Sequence, residues 1–118
     1  MTYVDGFVAP VKKDNQQAYL AMATKAAAIF KEYGALHVME CWGDQLPEGK
    51  TTDFFMAVKA TPDENVVFSW IIWPSKDVRD AGWDRAMKDE RMQPDGEMPF
   101  DGKRMIWGGF VPLLDSEA

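Results

Sequence analysis

Val66–Val67–Phe68–Ser69–Trp70–Ile71–Ile72–Trp73, closed by Pro74, is the stretch on which the fold turns. β-Branched and aromatic residues fill it, and a proline ends it, so it reads as a strand. Its alternation is unusual. Val66, Phe68, Trp70 and Ile72 take one face, while Val67, Ile71 and Trp73 take the other with Ser69 among them. An antiparallel sheet with one wet face alternates to polar residues there, and this strand does not. It needs cover on both sides.

Working outward, Ser75 is placed to cap a helix running to about Arg91, with Val78, Ala81, Gly82 and Ala86 as a small-residue inner face that lets it lie close to the sheet. Upstream, Thr2 to Val11 reads as a first strand. Asp14 or Asn15 then opens a helix whose buried stripe is Tyr19, Met22, Ala23, Ala26, Ile29, Phe30 and Tyr33, and Gly34 stands at its C-terminal cap. Ala35 to Trp42 is a second strand, and Lys103 to Leu114 a last one, in which Gly108–Gly109 allows a bulge or a close contact. The segment 43–65, broken by Pro47, Gly49 and Pro62, admits either a short helix or an extra strand around Thr52–Val58. Gln93 to Gly102 is a long loop.

The order is therefore βαββαβ. Right-handed crossovers turn that order into one antiparallel sheet with two helices on one face, an α+β fold of the ferredoxin-like kind. All 118 residues make a single domain. The last strand repeats the two-sided apolar pattern, with Met105, Trp107 and Val111 against Ile106 and Phe110. The face without helices then needs a second copy, sheet against sheet, or else the middle segment folded over it. A homodimer is the expectation.

Composition narrows the function by exclusion. The net charge of -6 repels phosphate backbones and anionic membranes. RNA-recognition domains share this element order, but their third strand leads with a basic residue and glycine, which Val66–Val67–Phe68 lacks. Neither nucleic acid nor membrane is an expected partner. The lone Cys41 forms no intrachain disulfide, and Met1–Asp5 does not open as a secretory signal, so a cytoplasmic protein is expected. His37, the single histidine, and Cys41 fall short of a zinc set, so no metal site is expected. Gly108–Gly109 has no Lys-Ser/Thr after it and is no phosphate loop. No cofactor is called for.

Two carboxylates stand out. Asp5 and Glu40 lie mid-strand among apolar neighbours, where an unpaired charge is costly to bury. Each is either a paired structural group, with Lys103, Arg104 or tryptophan indoles as partners, or a general base facing a cavity. Trp42, Trp70 and Trp107 are the candidate walls of such a cavity, and Arg104 a candidate contact for a small-molecule ligand. Period-two geometry puts His37 on the opposite face from Glu40. Asp77, Asp80, Asp84 and Asp89 with Lys76, Arg79, Arg85 and Lys88 read as a solvated helix face.

Four fragments carry a resemblance. Tyr3–Val4–Asp5–Gly6–Phe7–Val8, Glu40–Cys41–Trp42, Phe68–Ser69–Trp70, and Met98–Pro99–Phe100–Asp101–Gly102–Lys103–Arg104–Met105–Ile106 followed by Gly108–Gly109–Phe110 resemble the YbaA-like proteins, in order and over nearly the whole chain. The resemblance implies the dimeric α/β-barrel superfamily, in which two ferredoxin-like sheets pack face to face. It implies no reaction, because the YbaA-like family is itself uncharacterised. Wider relatives include cofactor-free monooxygenases, haem enzymes and lactone isomerases, and those activities attach to the fold by analogy alone. Two functions fit the sequence: a small-molecule enzyme of the cofactor-free oxygenase or isomerase type, and a non-catalytic dimeric module that binds a ligand or protein.

Overall fold

The computed structural model describes residues 1–94 and 96–117. Four strands, β1 (Tyr3–Lys12), β2 (His37–Trp42), β3 (Glu64–Trp73) and β4 (Ile106–Phe110), form one antiparallel sheet in the order β2-β3-β1-β4. The helices α1 (Gln16–Glu32) and α3 (Lys76–Lys88) cross between them. This is the expected ferredoxin-like arrangement.

Register fixes the faces. Asp5 lies opposite Ile71, Phe7 opposite Ser69, and Glu40 opposite Ser69 from the other side. Asp5, Phe7, Ala9, Val38, Glu40, Ser69, Ile71 and Trp73 therefore share one face. The core lies there: Ile29 and Phe30 of α1 and Ala86 of α3 pack with Ile71 and Trp73. Ser75 caps α3 by accepting from the Val78 N–H at 3.2 Å. Gly82 is where α3 comes closest to the sheet, since a Cβ there would stand 2.5 Å from the Trp73 ring. Gly34 takes φ +116° after α1, a conformation suited to glycine. Asn15 stands at the N-cap of α1 but makes no side-chain cap bond, because a 3-10 turn over Lys13–Asn15 leads the chain in. Pro10 in β1 falls beyond Val8, where β4 no longer pairs, so its missing N–H disrupts no bond to that strand.

Two element boundaries are corrected, and one open alternative, at Gly108–Gly109, is decided for the close contact. The last strand runs only over Ile106–Phe110. Arg104, instead of extending it, turns to Glu64 and Asp101, and Leu113 and Leu114 are exposed. Gly108–Gly109 forms no bulge, as pairing with β1 is regular through both residues. Gly109 gives room to the Tyr3 ring, whose hydroxyl oxygen lies 2.3 Å from where a Cβ would sit. The helix after Ser75 ends at Lys88, and a 3-10 turn over Glu90–Met92 follows, with Asp89 accepting from the Arg91 N–H.

The middle segment resolves as a short helix, α2 (Phe54–Ala57), capped by Asp53 through a 2.7 Å bond from the Met56 N–H. It lies over one end of the face without α1 and α3, where the Phe54 and Phe68 rings meet at 6.2 Å. The cover is partial: Phe68, Ile106 and Phe110 remain 43%, 48% and 60% exposed. Among the described residues, no helix is long and apolar enough to cross a membrane, and no cluster of three metal-ligating side chains occurs.

Candidate functional site

The middle of the α1 stripe, between Tyr19 and Ile29, is built of small or flexible residues, Met22, Ala23 and Ala26, while Ile29 and Phe30 fill the C-terminal end. That gradient leaves space. A cleft of about 530 Å³ opens between α1 and the sheet. Phe7, Ala9, Val38 and Ile71 floor it, Phe30 and Trp83 close one end, and Met98, Pro99, Phe100 and Met105 form the opposite wall. Lys25, Arg91, Gln93 and Glu97 add polar groups to its lining.

Within this apolar space stand Tyr19, Glu40 and Ser69. Tyr19 projects from α1, Glu40 from the edge strand β2, and Ser69 lies directly across from Glu40 on β3. The Tyr19 hydroxyl donates to Glu40 Oε1 at 2.7 Å. Ser69 is buried and hydrogen-bonds with this pair. The Tyr19 ring packs edge-on against Phe100 at 6.0 Å, which holds the phenol in place. Glu40 retains an exposed surface, yet its carboxyl lies where the cleft walls limit water. Desolvation pushes its pKa above the ordinary glutamate value, and the bonds from Tyr19 and Ser69 only partly offset this. Burial and the neighbouring carboxylate drive the Tyr19 pKa far upward, so its phenol stays neutral and remains a donor.

Asp5 belongs to the other class. It is wholly buried beneath α3. Its Oδ2 accepts from Trp73 Nε1 at 2.9 Å and from Trp83 Nε1 at 2.7 Å, and its Oδ1 accepts from Arg79 Nη2 at 2.8 Å and Nε at 3.0 Å. Indole donors were expected, but the cation is Arg79 rather than Lys103 or Arg104. Arg79 is therefore not part of a solvated helix face. Its guanidinium also lies 5.2 Å over the Tyr3 ring. Asp89 departs from that reading too, since it accepts from the Tyr33 hydroxyl at 2.6 Å.

None of the other candidate ligand contacts lines the cleft. Trp42 shares its sheet face, opposite Val67, but stands outside the lining. Trp70 is on the opposite face, 5.5 Å from Phe68, because it is one residue out of phase with Ser69 and Ile71. Trp107 is 61% exposed and stacks at 6.4 Å on Trp83, so it backs the wall rather than forming it. Arg104 binds Glu64 through Nη1 and Nη2, both at 2.7 Å, and Asp101 through Nε, and so joins the last loop to the start of β3. His37 is exposed on the far face opposite Ile72, away from Glu40 as period two requires.

Periodicity puts Tyr19 in a buried stripe and says nothing of its polar tip, and Trp83 falls outside the small-residue inner face of α3. Signals for both were present. Ser69 is the one polar residue of the apolar run Val66–Trp73, and Arg79 and Trp83 sit at i and i+4, a spacing that aims both at one point below a helix.

The chain is 60% identical over 116 residues to the uncharacterized protein YbaA of Escherichia coli K12, covering 98% of this chain and 99% of that protein. The match to YbaA of Shigella flexneri is equal in identity and coverage. Among solved structures, it is similar to SnoaB, a cofactor-independent oxygenase from Streptomyces nogalater, with TM-score 0.57, 10% identity, and coverage of 99% of this chain and 98% of that one. It is also similar to a putative antibiotic biosynthesis monooxygenase from Bacillus cereus, with TM-score 0.58, 11% identity, and coverage of 99% and 96%. Such low identities establish a shared fold only. The model of a family described as protein of unknown function (DUF1428) matches residues 2–102, and with the near-complete YbaA match it shows that this chain belongs to that family.

Proposed function

We propose that the cleft binds a small, largely apolar molecule bearing an acidic C–H beside a carbonyl, and that Glu40 acts on it as a general base. The observation that carries this reading is the Tyr19–Glu40 bond inside a mostly apolar cleft. A carboxylate whose pKa is raised is a stronger base than a solvated one, and a phenol beside it supplies the donor. Glu40 takes the proton, and the C–H electron pair moves onto the carbonyl oxygen as an enolate. The Tyr19 O–H turns from Glu40 to that oxygen. Returning the Glu40 proton to a different carbon completes an isomerisation with no cofactor. Capture of the carbanion by dioxygen as co-substrate, with the same proton completing a hydroperoxide, is the oxygenase branch of the same first step. The fold shared with a cofactor-independent oxygenase is compatible with that branch.

The same reading includes a homodimer. Phe68, Ile106 and Phe110 are exposed on the sheet face opposite the cleft, which is the face a second copy covers. This arrangement leaves the cleft open to ligand. The exposed face also favours the alternative, a dimeric binding module without catalysis, and one experiment separates the two. In D2O, 2-tetralone should exchange its α-protons faster with the wild-type protein than in buffer, as read by proton NMR. Glu40→Gln should abolish the excess. Equal exchange by wild type and Glu40→Gln would leave only the binding module.

A further inference from the structure

From the geometry around Trp83 we infer that Asp5 is a positioning residue for the cleft: it acts through Trp83, whose ring closes the α3 end, and so sets how tightly the site holds its ligand. The inference rests on the proposed reading of the cleft as an apolar ligand site.

Trp83 has two sides. Its indole Nε1 donates to Asp5 at 2.7 Å, and its ring lines the cleft. The ring also meets Phe30 at 4.7 Å and Phe7 at 6.1 Å, both of which line the cleft as well. Asp5 itself does not line the cleft and touches no space a ligand could enter. Its influence therefore passes through the indole. That carboxylate is a fixed point. Arg79 holds Oδ1 through two nitrogens and also reaches Oδ2 through Nε at 3.3 Å, Trp73 and Trp83 both donate to Oδ2, and Trp73 is fully buried. A tryptophan anchored at its nitrogen and packed against two rings has less freedom to rotate than one held by packing alone. Without the anchor the ring can rotate and soften the wall, and precise positioning of a ligand is lost. Trp107, stacked on the outer side of Trp83, closes off rotation toward solvent only while it stays in place, and it is mostly exposed. The Asp5 bond is thus the polar restraint that fixes the nitrogen end of the ring.

The test is a double-mutant cycle read by affinity, with 2-naphthol as the probe: a flat apolar molecule whose one hydroxyl reaches Glu40. Asp5→Asn and Trp83→Phe should each weaken binding about fivefold, and the double variant should be no weaker than either single one, because both remove the same bond. Glu40→Gln should weaken binding independently, so its effect multiplies with theirs. Trp83→Phe leaves the Arg79–Asp5 pair in place, and if Asp5→Asn does not fold, Arg79→Lys takes its place in the cycle, because it loosens the Asp5 carboxylate and Arg79 does not line the cleft. The Trp83 indole Nε1–H signal in the wild-type nitrogen–proton NMR spectrum should also shift on adding the probe, while that of Trp70 stays still. Unchanged affinity in folded Asp5→Asn or in Trp83→Phe overturns the inference and leaves Asp5 a structural anchor only. Failure of the wild-type protein to bind 2-naphthol, or indifference of binding to Glu40→Gln, overturns the reading of the cleft itself.

Discussion

The hydroxyl of Tyr19 and the carboxylate of Glu40 meet at 2.7 Å across the interior of the cleft, one from α1 and the other from the edge strand β2. The bond serves the carboxylate's charged form, since a donor stabilises the anion. Desolvation works against it and dominates. The sign of the resulting pH dependence follows. Glu40 titrates higher in the folded chain than in the unfolded one, so its charge costs stability once the pH rises through its folded pKa, and that cost disappears below the unfolded value. Glu40→Gln should therefore be more stable than wild type at pH 7, with the advantage shrinking as pH falls toward 4. Urea unfolding at both pH values measures this.

Asp5 gives the opposite result. It is fully buried and its partners come from β3 and α3. Removing it leaves the Arg79 charge and two indole donors without their acceptor. Asp5→Ala should cost about 3–5 kcal/mol, the range for breaking a buried pair on one side. Equilibrium urea unfolding at neutral pH reads the loss.

Glu64 supplies a second pH signature. Hydrogen bonds from Arg104 hold its pKa down to about 2. A depressed carboxylate contributes stability that is complete above the unfolded pKa of about 4.3 and fades as pH falls toward the folded one. Arg104→Met should lose about 2 kcal/mol at pH 7, within the range for a charged hydrogen-bonded pair. Thermal unfolding across pH 2–7 should show wild type and variant converging at the acid end.

Gly82 tests the packing of α3. Glycine inside a helix ordinarily gains about 1 kcal/mol on replacement by alanine. Here the new Cβ would lie 2.5 Å from the fully buried Trp73 ring and 3.0 Å from the Tyr33 carbonyl oxygen. Overpacking of that kind costs about 1–3 kcal/mol. Gly82→Ala should therefore destabilise, as a lowered urea midpoint would show.

For the assembly, light scattering during gel filtration at micromolar concentration should give twice the 13.4 kDa chain mass. Phe110→Asp should return it to the monomer mass, because it places a charge in the exposed apolar face. A wild-type monomer at that concentration would leave the face without the second copy proposed for it.

What the sequence disclosed depended on how local the physics was. β3 announced itself because seven β-formers in eight residues and a closing proline leave few alternatives, and α1 because its stripe and Gly34 agree. The end of β4 was overrun, because the exposed Val111–Leu114 tail is as apolar as a strand, and nothing local says that Arg104 prefers Glu64. Both carboxylates were visible as misfits among apolar neighbours. Which one is paired beneath α3 and which one faces the cleft was not, because that depends on Arg79 and Tyr19, which lie 74 and 21 residues away along the chain. The tryptophans were judged by size. Which of them faces the cleft was decided by strand phase for Trp70 and by helix packing for Trp83.

The carboxyl carbon of Glu40, followed by carbon-detected NMR from pH 3 to 9 in wild type and in Tyr19→Phe, bears on the whole functional reading. Glu40 should titrate above the ordinary value of 4.5 in wild type and higher still in Tyr19→Phe, where the stabilising donor is gone. A Glu40 pKa at or below 4.5 in wild type would mean that the cleft stabilises the anion, and it would contradict Glu40 as a poised base.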